Sequence, residues 1–302
     1  MVTGNAAVTV PTCAPPDRSV RRSSLRLPPL SCDCHAHICG PAEQYPLATE
    51  RIYSPAQATF DDYRRMMSTI GVERAVLVQP SFYGTDNAAL LDAIRAGGAN
   101  FRGVAVVADE VGGTELERLH QGGVRGVRFN IVDVKNGKGR LPIERIGALA
   151  ERIKPFGWHV ELLMHVHEFP DLDRAFDGFP VDVVFGHLGY VPTERGVDDP
   201  GFRSLLRLLG AGRAWVKLTA PYRISSQAMP HADMAAFAEA LRDTAHERLL
   251  WGSDWPHVKA QWSIPMPNDG DLVDLLGDWV PSEAARRDIL VANPARLYGF
   301  ET

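Results

Sequence analysis

Cysteine is scarce in this chain and poorly distributed for a disulfide framework. The four thiols, Cys13, Cys32, Cys34 and Cys39, all fall near the N-terminus and cannot staple the rest of the fold. This usage points to a reducing, cytoplasmic setting. No apolar run approaches the length of a membrane span, which argues against a membrane partner. Arg21-Arg22 has some likeness to a twin-arginine signal, but Leu25-Arg26-Leu27-Pro28-Pro29 is too short and broken for an apolar export segment. A charge surplus is missing too. The formal net charge of -5 argues against a broad face for nucleic acid or an anionic membrane, so an anionic ligand must meet local arginines. Gly/Ser linkers, low-complexity tracts and internal repeats are absent, which leaves no mark of a second domain.

What is present suits one large core: 302 residues, 45% hydrophobic and 23% charged. Residues 1-30, rich in proline and poor in large apolar side chains, read as a loosely held leader, and residues 31-302 as the single domain. From Leu30 onward short apolar runs alternate with longer amphipathic ones, the pattern of repeated βα units. Strands are predicted at 30-37, 74-79, 101-107, 124-130, 159-164, 181-186, 214-218 and 249-252. Helices are predicted at 60-70, 87-96, 114-121, 142-154, 169-176, 202-209 and 232-242, with a last pair near 271-276 and 282-291. Thr59 and Asp86 stand where N-caps belong, and Gly71 and Gly97 where helices end.

Eight βα units fit a closed barrel or a large open sheet. The polar residues favour the barrel, because only closure gathers strand ends 1, 4, 6 and 8 around one mouth. The glycine-rich fingerprint of a dinucleotide-binding open sheet is also absent. The fold expected is therefore α/β, a (β/α)8 TIM barrel.

Three segments carry candidate chemistry. Cys32-Asp33-Cys34-His35-Ala36-His37 ends the first strand, and regular alternation puts Asp33, His35 and His37 on one face and both thiols on the other. Val183-Val184-Phe185-Gly186-His187 ends the sixth strand in a histidine, and Leu249-Leu250-Trp251-Gly252-Ser253-Asp254 ends the eighth in an aspartate. A lone histidine is ordinarily packed or hydrogen-bonded, and an aspartate before a turn is common. Their joint occurrence at strand ends is much harder to obtain by chance. Arg128, at the end of the fourth strand, is the arginine expected in the pocket, whereas Arg125 reads as a structural or helix-facing ion pair. His159, at the start of a strand, belongs to the opposite, stability-bearing end.

These segments, with Gly84-Thr85-Asp86-Asn87, Gly123-Val124-Arg125-Gly126-Val127-Arg128-Phe129-Asn130, Gly252-Ser253-Asp254-Trp255-Pro256-His257 and Asn293-Pro294-Ala295-Arg296-Leu297-Tyr298, resemble the amidohydrolase superfamily. The likeness is to its branch of 2-pyrone-4,6-dicarboxylate lactonases and spans residues 30-300. It implies a hydrolase that opens a small carboxylated or sulfonated lactone from aromatic catabolism. Asp254 would act as general base on water, and His35, His37 and His187 would polarise the carbonyl. Arg223 matches a second carboxylate-binding arginine, and Tyr53 and Ser81 occupy positions that contact substrate. The lactonase branch implies no required metal. The alternative is a zinc-dependent amidohydrolase or decarboxylase with His35, His37, His187 and Asp254 as ligands, to which His165 and His167, just past strand five, are candidate additions. The sequence departs from the branch at Val134, where a further arginine is expected, and at Leu163, where a tyrosine is. Those departures disfavour the pyrone dicarboxylate itself, unless Lys135 or Lys138 supplies the missing charge. A barrel kept only for binding is disfavoured, because the complete polar set sits at the catalytic face, and homo-oligomerisation is left open by the sequence.

Overall fold

A computed structural model of the chain describes residues 10-132, 140-262 and 264-301. Val134, Lys135 and Lys138 therefore lie outside the described residues. Among those described, eight parallel strands run in sequence order, β1 (Cys32–Ala36), β2 (Arg74–Val78), β3 (Phe101–Ala105), β4 (Val124–Asn130), β5 (His159–Leu163), β6 (Val183–Phe185), β7 (Ala214–Thr219) and β8 (Leu249–Gly252). The ring closes where the end of β8 meets β1. His37 N–H donates to Trp255 O at 2.7 Å, Asp254 N–H donates to His35 O at 2.8 Å, and Ala36 bridges Trp255 in parallel. This is the (β/α)8 barrel that the alternating pattern predicts.

Helices α1 (Phe60–Ile70), α2 (Ala88–Gly97), α3 (Gly113–Gln121), α4 (Ile143–Ile153), α5 (Leu172–Ala175), α6 (Pro200–Gly210), α7 (Ala235–Ala245) and α8 (Asp269–Trp279) form the outer layer, followed by α9 (Glu283–Arg287) and α10 (Asn293–Tyr298). Helix α1 starts where local chemistry says it should. Thr59 Oγ accepts from Asp62 N–H while the Asp62 carboxylate accepts from Thr59 N–H, and Gly71 closes the helix at φ 82°. At α2 the expected cap acts one residue early, with Asp86 Oδ1 accepting from Ala88 N–H at 3.0 Å.

Two cores result. The larger lies between barrel and helices, and the smaller fills the barrel with Cys32, Cys34, Val76, Val78, Val104, Val184, Trp215 and Leu250, floored by Ala295, Tyr298 and Phe300. The stretch before β1 runs over this body. Cys13 N–H donates to Ser54 O and Ser54 N–H to Pro11 O, each at 2.8 Å, while Arg21 pairs with Asp271 and Asp274 of α8. No helix among the described residues is long and apolar enough to cross a membrane.

Candidate active site

The strand-1 motif does not alternate as a regular strand would. The β1–β2 register shifts between Asp33 and Ala36, an irregularity that re-aims side chains. Cys32 and Cys34 share the barrel interior, as alternation predicts, but His35 turns to that side as well, against Glu161 and Lys217, while Asp33, expected beside the histidines, faces the helix layer. There Asp33 accepts from Tyr63 Oη at 2.9 Å, Ser253 N–H at 2.9 Å and Ser253 Oγ at 2.5 Å. Burial raises its carboxyl to about 6. Asp33 thus ties β1 to the turn carrying Asp254. Gly252 lets these segments touch, since a Cβ there would lie 2.8 Å from His35 N.

Three of the expected groups converge at the mouth. His35 Nε2 and His37 Nε2 each lie 3.5 Å from Asp254 Oδ1, and all three residues are buried. The expected metal-free site is corrected by this cluster, whose ligand atoms all fall within 4.8 Å of one another, the spacing of a metal-binding group. The donor chemistry fits. His37 Nδ1 lies 2.7 Å from Val78 O, and a carbonyl only accepts, so Nδ1 carries a proton there and Nε2 is the nitrogen turned toward Asp254. That nitrogen, His35 Nε2 and a carboxylate oxygen aim at one point, two imidazoles and a carboxylate being the donor set of a divalent ion of the zinc type. His35 Nε2 is buried with no hydrogen-bond partner among the described residues. Burial, with the nearby Lys217 charge, lowers His35 to about 3, so the ring is neutral as a ligand must be. His187 packs edge-on to His35 at 5.2 Å between ring centroids but is not part of the three-residue group. Burial pushes its pKa well below the usual range, leaving a neutral ring whose Nδ1 has no described partner.

Asp254 is held from its other side. Tyr222 Oη and Arg223 Nε each donate to Oδ2 at 2.7 Å, and Arg223 Nη2 also reaches Val258 O at 2.9 Å. Burial alone would raise the Asp254 pKa, but the adjacent guanidinium holds it well below the carboxylate range, so the group is ionised. Tyr222 also meets His257 Nδ1 at 3.0 Å, and His257 Nε2 lies 3.2 Å from Asp269. The loops after β6, β7 and β8 contain left-handed non-glycine residues: His187 at φ 49°, Tyr190 at 56°, Ala220 at 50°, Asp254 at 65°, His257 at 59° and Lys259 at 69°. Such conformations cost free energy and persist where surrounding contacts over-determine them.

Above this centre is a pocket lined by His37, Tyr53, Ser81, Arg128, His187 and Arg223, and also by Asn130, Leu163, Tyr190 and Lys259. All four expected substrate-binding residues reach it. Ser81 Oγ lies 3.3 Å from Tyr53 Oη, and buried Arg128 gives Nη1 to Gln79 O at 3.1 Å while its Nε has no described partner. Leu163 is on the wall, as the departure at that position anticipated. Arg125, read as a helix-facing ion pair, instead donates to the carbonyls of His120 and Val124. His165 stacks on Tyr190 and meets His167 edge-on, and both histidines stay outside the three-residue group.

Sequence reasoning missed Tyr222, Lys259 and a buried pair, Glu161 and Lys217. The signal for the pair was available: a charge at an inward position of an otherwise apolar strand, His159-Val160-Glu161-Leu162-Leu163 and Ala214-Trp215-Val216-Lys217-Leu218-Thr219, needs a buried partner.

The comparisons agree with this architecture. An amidohydrolase family model matches residues 32–300. A 4-sulfomuconolactone hydrolase of Hydrogenophaga intermedia is 35% identical over 289 residues, 96% of this chain and 95% of its own. A 2-pyrone-4,6-dicarboxylate hydrolase of Comamonas testosteroni is 34% identical, with 92% of both chains covered. An apo crystal structure of an Agrobacterium tumefaciens protein superposes with a TM-score of 0.81 at 27% identity, covering 92% of this chain and 99% of that one. With the barrel, the strand-end histidines and the strand-8 aspartate in place, the match over nearly the whole chain shows that this protein belongs to the amidohydrolase family.

Proposed function

We propose that the protein is a metal-dependent lactone hydrolase that opens a small ring bearing carboxylate or sulfonate groups, as formed in the breakdown of aromatic compounds. The observation that carries this reading is the buried His35, His37 and Asp254 group facing a pocket with a surplus of positive charge. Among the pocket's lining residues, Arg128, Arg223 and Lys259 stand against the single carboxylate of Asp254, in a chain whose net charge is -5. The two hydrolases quoted above act on a sulfonated and a dicarboxylated lactone by name, which supports an anionic substrate.

His35, His37 and Asp254 would hold a divalent ion of the zinc type, with His187 beside them. When bound, such an ion polarises a carbonyl and makes water more acidic. The chain's own residues do the rest. Arg128, with Ser81 and Tyr53, grips an acidic substituent and so fixes the ring over Asp254. Water oxygen bonds to the lactone carbonyl carbon as the ionised Asp254 takes a water proton. Neutral His187 donates a hydrogen bond to the oxygen on which negative charge develops. The ring C–O bond then breaks, and the proton held by Asp254 passes to the departing ring oxygen, giving an open-chain acid. Arg223 and Tyr222 keep Oδ2 occupied, which turns Oδ1 to the water.

The test is turnover of a panel of sulfonated, carboxylated and uncharged lactones by metal-free and zinc-loaded protein. Hydrolysis of an acid-bearing lactone by the loaded form supports the proposal, and no ring opening of any panel member sinks it.

A further inference from the structure

Behind the three-residue group lies a second buried constellation that the proposed reaction does not use directly. Glu161 of β5 and Lys217 of β7 point into the barrel beneath His35, with 1% and 0% of their side chains exposed. Lys217 Nζ donates to Glu161 Oε2 at 2.6 Å, and Glu161 Oε1 lies 3.2 Å from His35 Nδ1. Lys217 Nζ approaches the same ring nitrogen at 3.2 Å. A carboxylate and an ammonium therefore compete for one atom. Burying an ion pair here is an expensive way to fill a barrel, since apolar residues of like volume are often no less stable. Stability alone does not account for it.

Resting on the metal-dependent reading above, we propose that Glu161, held by Lys217, is a positioning residue that fixes the ring proton of His35 on Nδ1 and leaves Nε2 bare for the ion. Two placements of that proton compete. With the proton on Nε2, Lys217 donates to Nδ1, but among the described residues the Nε2–H is offered Asp254 Oδ1 at 3.5 Å, beyond a normal N–H···O bond. A buried donor is then stranded. With the proton on Nδ1, it lies against a carboxylate oxygen, a charge-assisted contact, and Lys217 keeps its short bond to the other oxygen. The second placement satisfies more groups. It also makes His35 match His37, whose proton is held on Nδ1 by Val78 O. The two imidazoles are thus oriented by different devices, a backbone carbonyl for one and a carboxylate for the other, toward the same Asp254 oxygen.

The experiment is long-range ¹H–¹⁵N correlation on metal-free protein labelled in histidine, with the His35 signal assigned by its loss in His35→Asn, together with zinc affinity by chelator competition. The expected result is an Nδ1–H ring for His35 in the wild-type protein. In Glu161→Gln, Lys217 is freed to donate to Nδ1, the proton moves to Nε2, and zinc binds about 10-fold to 100-fold more weakly. An Nε2–H ring for His35 in the unaltered protein overturns the proposal, and that measurement needs no variant to fold. So does a folded Glu161→Gln protein that is merely less stable, with the wild-type ring form and zinc affinity. If the wild-type ring is Nδ1–H and changes in Glu161→Gln while neither protein binds zinc, the positioning role stands and the metal-dependent reading fails.

Discussion

Arg128→Met separates recognition of the acidic substituent from chemistry on the ring. The guanidinium is buried, one of its Nη donors is spent on Gln79 O, its Nε has no described partner, and the residue lines the pocket. A hydrogen bond to a charged group contributes roughly 1.5–3 kcal/mol, so its loss lowers kcat/KM for a sulfonated or carboxylated lactone by about 10-fold to 100-fold. Methionine keeps the apolar stem and removes only the donors, and the effect is expected mainly in KM. An uncharged lactone provides the control and should respond by less than about threefold, because it has no acid group to lose. Arg223→Met should behave differently, since that guanidinium holds Asp254 Oδ2 at 2.7 Å; there kcat falls more than KM rises, for charged and neutral lactones alike. Steady-state kinetics on both lactones decide the matter. If Arg128→Met leaves the ratio of charged to neutral kcat/KM unchanged, the pocket assignment is wrong.

Asp254→Asn is expected to lose at least about 10²-fold in kcat, because the amide cannot accept the proton of water, and near-wild-type turnover would refute the base assignment. Removal of metal with a chelator followed by dialysis should abolish activity, and stoichiometric zinc should restore it; full activity in protein shown to be metal-free by elemental analysis would count against the metal-dependent site. His159, buried at the base of the barrel, is pushed down to about 4 by burial, so its neutral form stabilises the fold fully above about pH 6.5 and that contribution is lost as pH falls toward 4, up to about 3 kcal/mol. Urea unfolding at pH 7.5 and 4.5 should therefore show a smaller acid loss for His159→Leu than for wild type, and equal losses would show that His159 does not contribute.

The fold was largely legible because its signals are local and repeated. Thr59 and Gly71 delimit α1, and β4 and β8 have the bounds that their apolar runs suggest. Misplaced elements have local causes. Helix α5 shrinks to Leu172–Ala175 because Pro170 disfavours helix at the preceding residue, and α7 begins three residues late because His231 takes a left-handed conformation and a short 3-10 turn intervenes at Ala232–Met234. At the site, strand ends and residue types pointed to His35, His37, His187, Asp254 and Arg128, which the fold brings to one mouth. Two things lay beyond a linear reading. The register shift at Asp33 depends on pairing with β2 and the turn after β8, and the metal-like convergence depends on distances across the barrel. No single strand carries either.

The closing seam makes function depend on completeness. His35 and His37 come from the first strand and Asp254 from the end of the last, joined by Asp254 N–H to His35 O and His37 N–H to Trp255 O. During synthesis the histidines emerge early and wait for almost the entire chain before their carboxylate partner exists. A nascent or C-terminally truncated chain lacks Asp254, the one residue proposed both as base and as third ligand, so on that reading it does not hydrolyse substrate prematurely. An ion seated between these strands would act as a clasp on the ring, binding the closed form in preference to the open chain and raising resistance to unfolding as its free concentration rises.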